Sequence, residues 1–394
     1  MQSLFKSYAL FNRSTPGSIM AVMFLSRKLP STLLLAASAI FAPHCRAQSN
    51  EPVRVVIVGL EHGHVDGFLR AFPRQHDAEL VGIVDPDPAL RDKAEKNFHL
   101  DHNLLFSDLD QAIAATHPRA LLVYTSVGGH RKVIEAAAAH GLDVMVEKPL
   151  TLSIADALAI RKAAREHHIQ VLVNYETTWY SSNKAVMDMA TDGRLGEVRK
   201  VIVRDGHQGP KEIGVQPEFL EWLTDPALNG AGALYDFGCY GADLMTVMMH
   251  GEAPLSVTAV AQTDKPDTYQ HVDDDATIVL RYPHTQAVLL PSWNWTFSRK
   301  DMEVYGTKAY AIAVNPTQVK TRTSERSAEE ETTATPLTSP EDTSLHYLAA
   351  VVRKQLDPKG DLTSLETNMI VVQILDAARQ SAASGKTITL KPLP

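Results

Sequence analysis

The sequence has little cysteine and no excess of positive charge. Two of its 394 residues are cysteine, and the formal net charge at neutral pH is −8. This balance gives no sign of the basic surface by which proteins bind nucleic acids. Hydrophobic residues make up 44% and charged residues 21%, as in an ordinary globular protein, and the length allows two domains.

The first 47 residues lack acidic side chains altogether, although they contain five basic ones. Their longest apolar run, residues 33–42, has about half of the roughly 20 residues needed to span a bilayer. A basic segment, a short apolar core and small residues up to Ala47 are typical of a signal peptide. We therefore predict a signal peptide over residues 1–47, cleavage near Ala47 and export to the periplasm. An uncleaved anchor helix is the alternative. Cleavage removes Cys45 and leaves Cys239 without a partner for an internal disulfide.

Strand and helix patterns alternate from residue 52 to residue 173. The run "VRVVIV" leads into a turn at Gly59, and further apolar strands end at Asp85 and Glu147. Continuous apolar runs are typical of strands buried on both faces of a parallel sheet. The alternation predicts an α/β domain over residues 52–173, a doubly wound Rossmann sheet that binds a dinucleotide.

The pattern changes at residue 174, where successive strands follow with little helix between them. We predict an α+β domain over residues 174–394, with an open and mainly antiparallel sheet. The polar segment 321–344 is expected to be a surface loop. The spacing of Leu365, Met369 and Val372 predicts a final amphipathic helix, which can pack back on the first domain.

The turn "GLEHGH" lacks two of the three glycines of a dinucleotide-binding fingerprint. Gly59 fits the pattern, whereas Glu61 and His64 stand at the other two positions. The turn nevertheless follows a buried strand and precedes a helix. Asp85, at the end of the second strand, is suited to bind ribose hydroxyls; its alternative role is that of a turn residue before Pro86. No arginine follows Asp85 closely, which favours NAD over NADP.

The same turn holds residue types that bind metals. Glu61, His62 and His64 have suitable side chains, but no third or fourth partner is apparent at a telling spacing. The phosphates of the cofactor are alternative neighbours for the imidazoles. We therefore expect no metal.

The segment "GALYDFGCYGADL" carries Asp236, Tyr240 and Asp243 at spacings that place them on one face of a helix. One interpretation is a helix N-terminus with Asp236 near the cap. The other is a site of proton transfer.

Three segments, "VEKPL", "WLTDPALNGAGALYDFGCYGADL" and "PSWNW…EVYGTKA", together resemble the Gfo/Idh/MocA family, the group of glucose–fructose oxidoreductase and inositol dehydrogenase. The resemblance extends from Val53 to the C-terminus. It implies an NAD-dependent oxidoreductase that binds a sugar or polyol at the nicotinamide, between the two domains.

The resemblance also assigns roles to residues. Lys148 matches the family's catalytic lysine, and Glu147 would orient it or contact the nicotinamide. Tyr240 stands where many members have a histidine. In having a tyrosine there, the chain resembles glucose–fructose oxidoreductase and the dihydrodiol and xylose dehydrogenases. We predict proton transfer by Tyr240, because a nearby ammonium favours the phenolate. Asp236 would contact substrate, and Asp243 would serve packing.

Further candidates follow from the resemblance. Thr125, Ser126 and His130 would lie beside the cofactor. The predicted cofactor-binding residues are thus Gly59, Glu61, His62, His64, Asp85, Thr125, Ser126, His130, Glu147 and Lys148. Aromatic faces suit sugar C–H surfaces, so the predicted substrate contacts are Tyr175, Trp179, Trp222 and Trp293; core packing is their alternative role.

Three functions remain open at this point. The first is a sugar or polyol dehydrogenase that exchanges NAD. The second is a glycosidase that retains NAD through a redox-neutral cycle of oxidation, elimination and reduction. The third is a binding protein without catalysis. As partners we expect a small carbohydrate, no nucleic acid, no membrane after cleavage, and a second copy of the chain in a dimer or tetramer formed through the open sheet.

Overall fold

Six parallel strands form the sheet of the N-terminal half. The computed structural model describes residues 51–394; the predicted signal peptide lies outside the described residues. The strands are β1 (Val53–Val58), β2 (Ala78–Val84), β3 (Leu105–Phe106), β4 (Ala120–Val123), β5 (Asp143–Glu147) and β6 (Val171–Asn174). The helices between them are α1 (His64–Ala71), α2 (Pro88–Phe98), α3 (Leu109–Thr116), α4 (His130–Ala139) and α5 (Ile154–His167).

The order of these strands is β3-β2-β1-β4-β5-β6. From β1 to β3 the chain adds strands on one side of β1, and from β4 to β6 it adds them on the other side. In sheets of this kind, ligands usually bind in the crevice at the carboxyl ends of the two strands where this change occurs, here β1 and β4. The predicted doubly wound Rossmann sheet is confirmed.

Nine strands form the second sheet, and its pairs are antiparallel except for β7 with β10. The strands are β7 (Val198–Gly206), β8 (Ser256–Gln262), β9 (Asp275–Arg281), β10 (Gln286–Ser292), β11 (Arg299–Gly306), β12 (Tyr310–Ala313), β13 (Gln318–Arg322), β14 (Glu330–Thr333) and β15 (Ile388–Thr389). The order is β14-β13-β12-β11-β7-β10-β9-β8-β15. The predicted open, mainly antiparallel sheet is confirmed.

One sequence expectation for this sheet is wrong in part. Residues 321–344 do not form only a loop, because β14 lies within them and pairs with β13 at the sheet edge. All four residues of β14 are exposed. An edge strand without a buried face lacks the alternation of apolar residues from which a strand is predicted.

The helices of the second half are α6 (Ser181–Thr191), α7 (Pro217–Leu223), α8 (Pro226–Asn229), α9 (Ala233–Asp236), α10 (Gly238–Met248), α11 (Ser344–Val352) and α12 (Leu365–Ser384). Within residues 51–394, no helix combines the length and the apolar character that crossing a membrane requires.

The last two long helices return to the first sheet. Leu345 and Leu348 of α11 share a hydrophobic cluster with Val55 of β1. At the start of α12, Asn368 accepts a hydrogen bond from Tyr175 at 2.7 Å, and Glu366 pairs with Arg165 of α5 at 2.8 Å. The predicted division at residue 174 falls on the last residue of β6, and the end of the chain packs against both sheets.

Candidate active site

Two hollows lie at the carboxyl edge of the first sheet. The substrate-side cavity, of about 810 Å³, is lined by Lys148, Asp236 and Tyr240. The cofactor-side cleft, of about 850 Å³, is lined by Gly59 and Asp85. The fold brings the groups that line each hollow together from segments far apart in sequence.

The cofactor-side cleft contains five of the predicted cofactor residues: Gly59, Glu61, Asp85, Thr125 and Ser126. Gly59 has φ +93°, and a Cβ there would lie 2.7 Å from the Thr125 nitrogen, so the turn requires glycine. Glu61 replaces the second glycine, and its carboxylate accepts a hydrogen bond from the Ser126 backbone at 2.5 Å.

Asp85 closes the turn from the second strand. Its carboxylate accepts hydrogen bonds from the backbone of Leu60 at 2.7 Å and of Asp87 at 2.8 Å. Burial raises its pKa, and these two hydrogen bonds act in the opposite direction. The expectation that no arginine stands nearby is wrong, because Arg91 donates to the Asp85 carbonyl oxygen. Helix α2 turns the chain so that Arg91, six residues after Asp85, lies beside Asp85.

The residues of the cleft fit a dinucleotide. The hollow lies at the point where strand order reverses, its turn has the required glycine, and Asp85 and Thr125 offer polar groups. Eight carboxylates line it against a single lysine among the described lining residues.

A buried ion pair forms the floor of the substrate-side cavity. The Lys148 ammonium contacts the Asp236 carboxylate and donates to the Asp236 carbonyl oxygen at 3.0 Å. Both side chains are buried. Burial alone would lower the pKa of Lys148, but Asp236 offsets this and raises it above its usual value. Burial would likewise raise the pKa of Asp236, and Lys148 lowers it below the usual range. Both groups are therefore charged.

The structure brings Asp236 and Lys148 together through a break in helical structure. Helix α9 ends at Asp236 and α10 begins at Gly238, with Phe237 between them. The Asp236 side chain does not cap α10, because its oxygens accept from Lys148 and Trp293. The peptide bond between Lys148 and Pro149 is cis.

Tyr240 lies in the first turn of α10, with its ring beside two ammonium groups. The Nζ atom of Lys148 is 5.3 Å from the ring centroid, and that of Lys300 is 4.6 Å away. Burial raises the pKa of Tyr240 well above its usual value, and Asp205 contributes in the same direction. The expected preference for the phenolate is thus wrong, because Asp236 compensates Lys148 and water is excluded. Tyr240 is a neutral phenol near pH 7.

Asp243, the third residue on the predicted helix face, lies one turn further into the core. Both of its carboxyl oxygens are buried without a hydrogen-bond partner in the described residues. Burial raises its pKa well above the usual value. It is a neutral core residue and does not line either hollow.

Glu147 and His64 form a hydrogen-bonded pair beside the substrate-side cavity, which His64 lines. Glu147, the last residue of β5, is buried and accepts from His64 Nδ1 at 3.0 Å and from Asn174 at 2.8 Å. Burial would raise the pKa of Glu147, but His64 and Asn174 lower it below the usual value. His62 is buried beside them, with its ring centroid 4.6 Å from those of His64 and Phe219.

His130 lies at the start of α4, as predicted, but does not line either hollow. It is fully buried, and its Nδ1 donates to the Leu150 carbonyl oxygen at 3.2 Å. It therefore supports the segment that follows Lys148 and Pro149. Burial lowers the pKa of His130.

None of the four aromatic residues predicted to hold sugar lines the substrate-side cavity in the described part of the chain. Tyr175 is fully buried beneath Tyr240, with the two rings edge to face at 5.4 Å. Trp179 packs against Tyr347, Trp222 lines the cofactor-side cleft, and Trp293 is buried behind Asp236. Composition alone does not reveal which faces of a fold stay open.

Other side chains line the substrate-side cavity, and the sequence analysis did not predict them. Phe219, Phe237 and His207 line the cavity, together with Lys300, which pairs with Glu176 at 2.5 Å. Lys300 is the second residue of β11. Only the pairing of β11 with β7 brings it over Tyr240, so no signal in the sequence marks it.

Comparison with known proteins agrees with this architecture. Residues 53–175 match the family model described as an oxidoreductase family with an NAD-binding Rossmann fold. Residues 183–312 match the model of the GFO/IDH/MocA C-terminal domain.

Relatives of known activity cover most of the chain. Trans-1,2-dihydrobenzene-1,2-diol dehydrogenase of Xenopus tropicalis is 24% identical over 77% of this chain and 90% of its own length. Inositol 2-dehydrogenase of Rhizobium meliloti is 25% identical over 61% of this chain and 69% of its own. D-xylose 1-dehydrogenase [NADP(+)] of Haloarcula marismortui is 21% identical over 62% and 68%.

Solved structures share the fold. Aldose-aldose oxidoreductase of Caulobacter crescentus, complexed with glycerol, superposes with a TM-score of 0.73 at 21% identity, over 86% of this chain and all of the other. An inositol dehydrogenase homologue of Azotobacter vinelandii, complexed with NAD+, has a TM-score of 0.74 at 20% identity, over 86% and 98%. The chain therefore belongs to the Gfo/Idh/MocA family of NAD(P)-dependent oxidoreductases.

Proposed function

We propose that this protein transfers hydride between NAD and a CH–OH group of a sugar or polyol, with Tyr240 moving the proton and Lys148 assisting. The observation that carries the proposal is the charged Lys148–Asp236 pair under the Tyr240 ring, in the wall of the substrate-side cavity. A buried, fixed ammonium beside a phenolic hydroxyl is suited to stabilise negative charge on a substrate oxygen.

Each side chain has a definite task in this reaction. In the reducing direction, the neutral phenol of Tyr240 donates its proton to the substrate oxygen as negative charge develops there. Lys148 stabilises that charge, and Asp236 holds Lys148 in place. In the oxidising direction, Tyr240 first loses its own proton to solvent and then accepts the proton of the substrate hydroxyl. NAD, when bound, supplies the site that accepts or gives the hydride.

We further propose that NAD is preferred over NADP. The excess of carboxylates in the cofactor-side cleft supports this, since a 2′-phosphate would add negative charge among them. Arg91 is the opposing feature, because arginine is the usual partner of that phosphate. Among the relatives, the Haloarcula xylose dehydrogenase is named for NADP and the Azotobacter structure contains NAD+.

A second candidate function rests on the cover of the cofactor-side cleft. Helix α7 lies over the cleft: Glu218 pairs with Lys93 of α2, and the Trp222 indole donates to the Glu61 carbonyl oxygen at 3.2 Å. These contacts must open for a dinucleotide to leave. Their presence favours a retained cofactor, which a redox-neutral glycosidase needs.

Export to the periplasm and assembly through the open face of the second sheet also remain our proposals. The run of basic and apolar residues before Ala47 supports the first. Outward-facing Val288 and Ile202, on adjacent strands, support the second. Fractionation of the producing cells and light scattering of the purified protein test them.

The deciding experiment is to purify the protein, denature it and assay the supernatant for NAD and NADP. One equivalent of NAD, followed by cleavage of glycosides without added cofactor, would favour the second candidate. Reversible NAD binding with reduction of added NAD by sugars or polyols would favour the first. Lack of any binding to NAD by calorimetry would contradict both. Tyr240→Phe serves as the control that should bind NAD but fail to turn over.

A further inference from the structure

Three side chains with metal-binding atoms converge beside the substrate-side cavity, which His64 lines. His62 lies in the turn after β1, His64 begins α1, and Glu147 ends β5. Their ligand atoms all lie within 4.8 Å of one another. The expectation of no metal was based in part on the lack of a further metal-binding side chain at a telling spacing in the sequence. The fold supplies such a side chain, Glu147, from a segment more than 80 residues away.

The carboxylate of this cluster is held from behind. Glu147 Oε1 accepts from Asn174 at 2.8 Å, and Asn174 in turn accepts from the Trp179 indole at 3.1 Å. Outer hydrogen bonds of this kind orient the ligands of metal sites. They leave the other oxygen, Oε2, directed toward His64.

The histidines differ in exposure in a way that suits an open site. His62 is buried against Phe219 and Trp222, whereas the His64 side chain is 46% exposed and lines the substrate-side cavity. A cation held by both would have protein on one side and the cavity on the other. Two imidazoles and one carboxylate on one side, with free positions opposite, are a common ligand set for divalent transition metals.

Local charge permits such a cation. Lys148 follows Glu147 directly and would repel a positive ion, but Asp236 contacts its ammonium and compensates it. Glu147 then supplies the negative charge that the ion needs. His64 Nδ1 lies 3.0 Å from Glu147 Oε2, so that one ion can contact both atoms.

We propose that His62, His64 and Glu147 bind one divalent transition-metal ion of the Zn²⁺ class, with its free coordination positions facing the substrate-side cavity. An ion in that position contacts oxygen atoms of a ligand in the cavity. The inference does not depend on hydride transfer, because it concerns binding of the ion alone.

The test uses untagged protein that has been dialysed against a chelator and then titrated with Co²⁺ and with Zn²⁺. We expect one equivalent of Zn²⁺ by elemental analysis and calorimetry, and visible absorption bands from bound Co²⁺. His64→Asn is the principal variant, because its half-exposed side chain can be replaced without disturbing the core. It should lower affinity at least about 100-fold, since changes to outer-shell partners alone cost 10- to 100-fold.

The control variant is His102→Ala. His102 makes a matching contact with Glu95, Nδ1 to Oε2 at 2.9 Å, but stands on the surface without a third ligand in the described structure. It should bind Zn²⁺ as the unmodified protein does. Glu147→Gln, checked for folding by circular dichroism, should also lose the Co²⁺ bands. Substoichiometric binding by the unmodified protein, or equal affinity in His64→Asn, would overturn the proposal.

Discussion

The Trp293 indole donates a hydrogen bond of 2.9 Å to the carboxylate oxygen of Asp236 that faces away from Lys148. A side chain expected to contact sugar thus fixes the carboxylate that holds the Lys148 ammonium. Because Asp236 has one neighbour on each oxygen, its position leaves the Lys148 ammonium little freedom.

Replacing Trp293 by Phe should therefore impair turnover without preventing cofactor binding. The variant removes a hydrogen bond to a charged group, which is worth about 1.5–3 kcal/mol. We expect kcat to fall roughly 10- to 100-fold, as that energy implies, while the Kd for NAD stays unchanged. Steady-state kinetics and calorimetry check this. Trp295→Phe, two residues along the chain, is the control; an equal loss of kcat there would contradict the assigned role.

The effects of replacing Lys148 and Asp236 on the free energy of unfolding should depend strongly on each other. Lys148→Met leaves a buried carboxylate alone and should lower the free energy of unfolding by about 3–5 kcal/mol. Adding Asp236→Leu removes that unpaired charge, so the double variant should be more stable than Lys148→Met. Urea unfolding of the two single variants and the double variant measures the coupling. Additive losses would show that the two groups do not act as a pair.

The raised pKa of Tyr240 predicts opposite pH profiles for the two directions of reaction. Reduction needs the phenol, so its kcat/KM should stay level from neutral pH to beyond pH 10. Oxidation needs the phenolate, so its kcat/KM should rise about tenfold per pH unit over the same range. Tyr240→Phe should lower both by about 10²- to 10⁴-fold and remove the slope. Oxidation that is independent of pH in the unmodified enzyme would exclude Tyr240 as the proton acceptor.

Buried histidines should make the fold sensitive to mild acid. Burial lowers the pKa of His130 in the folded state, whereas in the unfolded chain it is about 6.5. Below pH 6.5 the unfolded state therefore takes up a proton that the native state does not, and stability falls. The loss for one such group reaches at most about 1.4 kcal/mol per pH unit.

His207, whose pKa burial also lowers, acts in the same direction. Urea unfolding at pH 7.5, 6.5 and 5.5 should show the decline, and His130→Asn should make it shallower. The surface variant His102→Ala should not make the decline in stability shallower, because neighbouring Glu95 raises rather than lowers the pKa of His102. A stability that does not change over this range would contradict the assignment of His130 as neutral.

Much of the fold can be predicted because burial leaves its mark on the sequence. The apolar run of β1 and the alternation in β9 each report which faces meet the core. The edge strand β14 has no buried face and leaves no such mark. The path of α11 back to β1 also escapes prediction, since an apolar helix does not show which sheet it covers.

The site divides in the same way. Lys148, Asp236 and Tyr240 are predictable because they lie in motifs that resemble a family. The roles of Trp293 and Lys300 depend on pairing between strands distant in sequence, and the joining of His64 to Glu147 depends on neighbouring carboxyl ends of the sheet. The ionisation of Tyr240 could not be predicted either, because it depends on how Asp236 compensates the lysine.

The return of α11 to the first sheet has a consequence for biosynthesis. Leu345 and Leu348 complete the layer that covers β1, yet they leave the ribosome nearly 300 residues after it. Until they emerge, the nascent dinucleotide domain lacks part of the layer that covers this face of its sheet. We expect the domain to reach its native state only after α11 has been synthesised, so that folding precedes uptake of the dinucleotide.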